Sequence, residues 1–254
     1  MYQFFAPDIA ITSCLPEEES QHCVQVLRAQ IGDKIQITDG RGTLYTAEIT
    51  NPHRHHCEVR IVSEEHPEPL HEGHIHIAIA PTKNIDRIEW MIEKCTEIGV
   101  DEITPLLCRF SERKNINLDR LQRIMIAAAK QSLKVTYPVI NELTPFNDFI
   151  AQNHHADKFI AHCADGYDAN PNKFALQNCL TPGHAMVILI GPEGDFSEQE
   201  IADALKAGYK PVSLGKARLR TETAGLVAGM VAVLAGEKRD LHRGNSGSNP
   251  GQQR

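Results

Sequence analysis

The sequence predicts an α/β protein with a mainly parallel sheet, preceded by a small β-barrel. Three observations predict it. From His76 onward, short apolar runs alternate with stretches of helical spacing. The first 70 residues instead show period-two alternation around a turn signal. Between the two, Glu64 to Gly73 sets Pro67 and Pro69 among acids, the composition of a linker.

In the first part, Lys34-Ile35-Gln36-Ile37-Thr38 alternates and Asp39-Gly40-Arg41-Gly42 marks a hairpin turn. Thr43 to Ile49 resumes the alternation, and Cys57 to Val62 makes a third strand. Glu17 to Leu27 predicts a short helix with Val24 and Leu27 inward. After the linker, His76 to Ala80 is an apolar strand. Ile85, Ile88, Met91, Ile92, Cys95 and Ile98 keep helical spacing up to Gly99, which suits a C-cap. Glu102 to Leu107 is a strand, and Leu118 to Leu133 a helix stopped before Pro138. Lys158 to His162 and Ala185 to Ile190 are short buried strands. Ser197 with Glu200 forms a capping box for a helix running to Ala207. Val212 to Leu214 is the next strand, and Glu222 to Ala235 a final helix rich in Ala and Gly. The residues from 241 to 254, mostly Gly, Ser, Asn, Pro and Gln, are expected to be disordered.

Composition excludes several classes. No apolar run reaches the roughly 18 residues of a membrane span, and no signal peptide opens the chain, so a cytoplasmic protein with no membrane partner is expected. The seven cysteines are scattered without a Cys-x-x-Cys pair, which argues against both a disulfide framework and a thiolate zinc site. His53, His55, His56 and Cys57 cluster, but no second cluster completes a tetrahedral site, and no metal is expected. His71, His74 and His76 flank the linker and are expected to be solvated. The net charge of −7 is segregated: Arg109 to Pro138 holds seven bases against Glu112 and Asp119, and Lys206 to Arg220 holds five bases and no acid. Segregated charge admits a polyanion partner, and ordinary solvated helix faces explain it as well.

Two C-terminal segments carry chemistry. In Val187 to Ser197 a buried strand runs into Gly191-Pro192-Glu193-Gly194 and then into a capped helix. Ligands of open α/β sheets lie at the carboxyl ends of strands, and glycines there let the backbone approach a bound molecule. A strained turn with no ligand stays open from this segment alone. The second segment repeats the layout, with Val212-Ser213-Leu214-Gly215 ending a strand and Lys216 to Gly225 turning into a helix. Arg220 sits just before a helix N-terminus, where a cation is unfavourable. It implies either an anionic partner or a structural pair with Glu222.

Taken in order, Gly191-Pro192-Glu193-Gly194, Leu214-Gly215 and Leu219-Arg220-Thr221-Glu222-Thr223-Ala224 resemble the bacterial 16S rRNA uridine-N3 methyltransferase family of the SPOUT superfamily. Lys94 with Glu97-Ile98-Gly99-Val100 is similar to that family's helix end, and Ala129-Lys130-Gln131-Ser132 to a second region of it. Val26-Leu27-Arg28 through Gly32-Asp33, with Asp39-Gly40-Arg41-Gly42, is similar to its N-terminal barrel. Two departures stand out. Tyr2 and Gln3 precede Phe4-Phe5 where arginines are usual, and Lys134 stands where an arginine usually follows the Gln-Ser pair.

The resemblance implies a PUA-like β-barrel at 1–70 that helps grip RNA. It implies a SPOUT-type knotted methyltransferase domain at 73–240, with a deep trefoil knot that no sequence pattern would propose. S-adenosylmethionine is the implied cofactor. Its binding residues would be Ile190, Gly191, Pro192, Glu193, Gly194, Leu214, Gly215, Leu219, Arg220, Thr223 and Ala224. Catalytic roles would fall to Arg220, stabilising a deprotonated uracil, and to Glu193, accepting a proton or holding the cofactor. RNA binding would involve Arg28, Arg113, Lys114, Arg123 and Lys134. The implied partner is 16S rRNA in the small ribosomal subunit, met by a homodimer. A non-catalytic RNA-binding or assembly protein on the same fold, or the same chemistry on another RNA, stays open.

Overall fold

The structure is a computed structural model that describes residues 2–152, 154–163 and 173–237. The tail expected to be disordered lies outside the described residues.

The N-terminal sheet comprises β1 (Gln3–Phe5), β2 (Lys34–Thr38), β3 (Leu44–Asn51) and β4 (Glu58–Glu65), in that order. β1 is parallel to β2, and the other pairs are antiparallel. Between β1 and β2 lie α1 (Ile9–Thr12) and α2 (Glu17–Gln21), the latter continued by a π-helical turn, His22–Val26. Alternation points Ile35, Ile37, Tyr45, Ala47, Ile49 and Val59 inward, against Phe4, Ile9, Leu15, Cys23 and Cys57. Val24 and Leu27 pack half-buried against this core. The hairpin turn forms as expected, with Asp39 Oδ1 accepting from Arg41 N at 2.8 Å and from Thr43 N at 3.1 Å.

The larger sheet is built from β5 (Ile75–Ile79), β6 (Glu102–Leu107), β7 (Val139–Ile140), β8 (Thr144–Pro145), β9 (Asp157–Ala161), β10 (Phe174–Ala175), β11 (Met186–Ile190) and β12 (Lys210–Ser213). Its order is β10-β12-β9-β11-β5-β6-β7, with β8 also on β6, and every pair is parallel. The helices are α3 (Ile85–Ile98), α4 (Leu118–Gln131), α5 (Phe146–Ile150), α6 (Glu198–Lys206) and α7 (Thr221–Gly236). Ile75, Ile77 and Ile79 of β5 face a core shared with α3, α4 and α7. Ala78 and Ala80 face a second core with Phe146, Phe149, Phe196 and Ile201 of the opposite layer. Burial on both faces is why these strands read as continuous apolar runs.

Local chemistry sets the helix ends. Asn84 Oδ1 accepts from Asp86 N at 3.1 Å to start α3, and Gly99, at φ +97°, ends it. Ser197 and Glu200 form the expected capping box on α6. The helix expected to reach Leu133 stops at Gln131, because Leu133 turns left-handed at φ 54°. That turn leads residues 132–138 onto the N-terminal sheet. Gln3 Nε2 donates to Lys134 O at 2.7 Å, Thr38 Oγ1 donates to Val135 O at 3.0 Å, and Phe5 stacks on Tyr137 with centroids 4.6 Å apart. Gln3 therefore ties the N-terminal sheet to the loop after α4.

Two of the three flanking histidines depart from expectation. His71 and His76 are buried rather than solvated, whereas His74 is exposed as expected and pairs with Glu102 at 2.8 Å. His76 is accepted inside β5 because Nε2 shares a 2.7 Å hydrogen bond with Thr104 Oγ1 and the ring meets Phe149 edge-on. His71 Nε2 lies 2.8 Å from Gly99 O. Among the described residues no helix is long and apolar enough to cross a membrane.

Candidate active site

Three parallel strands, β9, β12 and β10, end side by side and open into a cavity of about 450 Å³. Val212, Leu214, Leu219, Ala161, Ala175 and Ala224 supply its apolar walls. The remaining lining among the described residues is His162, Cys163, Lys173, Ser213, Gly215, Lys216 and Ala217, none of them a carboxylate. Gly215 holds φ +123°, and Ser213 fixes that bend through its hydroxyl, which lies 3.2 Å from both Gly215 N and Gly215 O. On the opposite wall Lys173 Nζ donates to His162 O at 2.7 Å. Cys163 is exposed at the rim, and burial of its thiol pushes its pKa up.

This geometry divides the residues singled out in the sequence. Leu214, Gly215, Leu219 and Ala224 line the cavity. Ile190, Gly191, Pro192, Glu193 and Gly194 stand at the end of β11, on the other side of β9, and do not line it. The two loops are nevertheless linked, since Cys163 N donates to Asp195 Oδ2 at 2.7 Å. Ile190 O already accepts from Ala80 N at 3.0 Å. Gly191 packs closely on its own neighbours, since a Cβ there would lie 3.1 Å from the Phe196 ring and make it shift. Glu193 Oε1 accepts from Lys83 N at 3.2 Å, which pins the loop to the end of β5. Thr223 is half-buried on the first turn of α7, outside the lining.

Arg220 is the N-cap residue of α7, with an extended backbone and an exposed side chain. The pair it might have made with Glu222 does not form. Glu222 is buried, and its Oε1 lies 3.9 Å from Arg87 Nε on α3. Arg220 stands between two cavity-lining residues, Leu219 and Ala224.

The basic residues expected to meet RNA sit on several different elements. Arg113 spends its guanidinium on Thr82 O at 3.1 Å and Lys83 O at 2.7 Å, bracing the loop after β5. Lys114 is exposed beside Arg113 on the loop after β6. Arg123 Nε donates to Asp119 O at 3.3 Å on the outer face of α4. Lys134 is half-buried beside the N-terminal sheet, and desolvation lowers its pKa. Arg28 is exposed with φ 55° on the N-terminal domain. Around His53 the rings gather at a tilt, with the His53 and His56 centroids 3.8 Å apart, while Cys57 is buried in the core. No group of three or more metal-ligating side chains forms among the described residues.

Sequence reasoning missed Ala161, His162, Cys163, Lys173 and Ala175, which reach the cavity only through the pairing of Ala161 with Val212 and Ala175 with Ser213. A strand over Lys158 to His162 is legible in the sequence, but its neighbour in the sheet is not.

Comparison with known proteins agrees with this architecture. An RNA methyltransferase domain matches residues 68–233, and an RNA methyltransferase PUA domain matches residues 15–62. The crystal structure of a probable rRNA-methyltransferase from Porphyromonas gingivalis is 43% identical, superposes with a TM-score of 0.85, and covers 93% of this chain and 98% of its own. The ribosomal RNA small subunit methyltransferase E of Neisseria gonorrhoeae, solved bound to S-adenosyl methionine, is 29% identical with a TM-score of 0.76, covering 90% and 95%. The protein of that name from Synechocystis is 31% identical over 87% of this chain and 72% of its own. With two thirds of its length matching the catalytic domain and a PUA domain ahead of it, this chain belongs to the RNA methyltransferase family.

Proposed function

We propose that this chain is an S-adenosylmethionine-dependent methyltransferase that methylates N3 of one uridine of 16S rRNA in the small ribosomal subunit. The observation that carries the reading is the cavity at the ends of β9, β12 and β10, in a chain similar to a methyltransferase solved with that cofactor. The residues present fit the group. The volume lies within the range of small-molecule sites, roughly 300–1,000 Å³. The apolar walls suit an adenine, and Lys173 and Lys216 suit a carboxylate.

When bound, the cofactor supplies an electrophilic methyl group on a sulfonium. Leu214, Leu219 and Ala224 would hold the adenosine, with the open face of Gly215 free of any Cβ. The imide nitrogen of uracil is nucleophilic only after losing its proton, and a cation at the ring oxygens stabilises the anion so formed. Arg220, exposed beside the cavity, fits that role. Glu193, braced between Lys83 N and Arg87, fits a positioning role in the loop after β11. In this reading the barrel at 1–70 and Arg28, Arg113, Lys114, Arg123 and Lys134 engage RNA, and the domain at 73–240 is knotted and pairs in a cytoplasmic homodimer. Apolar Met230 and Leu234, exposed on α7, favour such pairing.

Nucleoside mass spectrometry of rRNA from a deletion strain tests the reaction and the target together. Loss of one 3-methyluridine from the small-subunit rRNA is expected. An unchanged nucleoside profile, with no S-adenosylmethionine binding by calorimetry, returns the protein to a non-catalytic RNA-binding role. Loss of a methyl group from another RNA redirects the target alone.

A further inference from the structure

The carboxyl ends of β11, β5 and β6 lie beside the cavity-forming strands and build a second surface, in which one aromatic residue is displayed. The loop after β6 makes a tight turn at Cys108 to Ser111. Ser111 N donates to Cys108 O at 3.1 Å, and Cys108 N donates back to Ser111 Oγ at 3.0 Å. A third bond, Arg109 N to Glu200 Oε1 at 2.7 Å, ties the tip to α6. Cys108 and Ser111 are buried, whereas Phe110 between them is 49% exposed. The phenylalanine is therefore held out to solvent by a turn whose ends are fixed.

We propose that Phe110, with Arg109, is a stacking platform for an unpaired base of the RNA substrate. This rests on the reading of the chain as an rRNA methyltransferase. A single exposed apolar side chain needs no explanation by itself. Here it borders a concavity of about 590 Å³ lined by Arg109, Phe110, Phe196, Ser197, Glu198 and Gln199. Arg109 lies over the ring, its guanidinium carbon 6.0 Å from the centroid. The loop 109–114 carries Arg109, Arg113 and Lys114 against Glu112, and Glu112 is already paired with Lys83 at 2.8 Å. The positive balance selects a polyanion over an apolar peptide. Phe110 also leaves the body beside the loop after β11, since a Cβ on Gly194 would lie 3.4 Å from Phe110 Cβ. A base on this ring would thus stand next to the Gly191–Gly194 loop. Single-stranded RNA is gripped by aromatic rings and arginine planes of this kind, and the rigid turn lowers the cost of ordering them.

The test uses the full chain and small ribosomal subunits from a deletion strain. Subunit binding is measured without cofactor, and KM and kcat with labelled S-adenosylmethionine. Phe110→Ala should weaken subunit binding and raise KM about ten-fold, equivalent to about 1.4 kcal/mol, with kcat and cofactor affinity near wild type. Phe110→Trp should restore binding, and Arg109→Ala should weaken it less than Phe110→Ala. Unchanged binding in a folded Phe110→Ala protein overturns the proposal. So does a change of oligomeric state on that substitution, which would make the residue a contact between copies, or failure of Phe110→Trp to restore binding. Wild-type protein inert toward the subunits would instead defeat the assigned function, a result separable from the behaviour of Phe110.

Discussion

Arg87 on α3 lies 3.9 Å from the buried carboxylate of Glu222, at the start of α7. The same guanidinium lies 4.0 Å from Glu193, so one side chain of α3 reaches both C-terminal motif segments. Glu222 also sits in the first turn of its helix, where a negative charge is favoured. Arg220 is thereby relieved of a structural partner.

That release predicts the behaviour of Arg220→Ala. Turnover should fall on the order of a hundred-fold, the usual consequence of removing a group that stabilises developing charge. Cofactor affinity by calorimetry should stay within a few-fold of wild type. Equal turnover of the two proteins on small subunits would remove Arg220 from the chemistry.

Gly73 closes the linker at φ +81°, and a Cβ there would stand 2.4 Å from His184 O. Gly73→Ala combines backbone strain with a collision against main chain, which cannot swing away. A loss of about 2 kcal/mol is expected, as a lower urea midpoint with an unchanged slope. A midpoint equal to wild type would mean that this junction relaxes freely.

His76 makes stability depend on pH. Burial, the largest cause, lowers its pKa from 6.5 to about 4, with Glu102 pulling the other way and His154 and His74 adding to the lowering. Below pH 6.5 the unfolded chain protonates this imidazole while the folded protein does not. Stability should therefore drop as pH falls from 6.5 to about 4, by about 3 kcal/mol at most. His74 has the opposite sign: its hydrogen bond to Glu102 raises its pKa, so its contribution is present below pH 6.5 and fades above its raised value. Glu102, lowered to about 2 chiefly by His74, adds stability above its ordinary range that is lost as pH falls toward 2. Unfolding midpoints for His76→Gln should be flatter than wild type across the window from 6.5 to 4. Parallel profiles for the two proteins would place the acid sensitivity elsewhere.

Lys130 of α4 pairs with Glu19 of α2, and the Glu19 side chain is 10% exposed. Glu19 Oε2 has no hydrogen-bond partner, so Lys130 is its main compensation. Lys130→Met should cost up to about 3 kcal/mol by leaving a buried carboxylate uncompensated. Adding Glu19→Gln should recover much of that loss. A double variant as unstable as the sum of the two singles would mean that the residues do not interact.

Much of this architecture was readable because local chemistry and global packing agree. The spacing from Ile85 to Ile98 and the cap at Gly99 mark α3 in the sequence as they do in the fold, and the isoleucines of β5 announce a strand covered on both faces. What escaped was non-local or too short. β1 is three residues and β10 two, below the length at which alternation can be recognised. His76 looked like an extension of a polar linker, because its partner Thr104 lies on another strand. In the cavity, Leu214, Gly215, Leu219 and Ala224 were found through the motif they belong to. Ala161, His162 and Lys173 had no such signal. Their place depends on which strand β12 chose as neighbour, information carried by the parallel register alone.

The packing of α7 against α3 and β5 has a consequence for biosynthesis. β5 is the first strand of its sheet to be made and α7 the last helix among the described residues, so Ile75 precedes Thr221 by 146 residues. At about 5–20 residues per second, that separation is an interval on the order of ten seconds. Throughout it the apolar surface beneath α7 is exposed to water and to other nascent chains. Folding of this domain cannot finish before α7 is made, and its vulnerability to aggregation is concentrated in that wait.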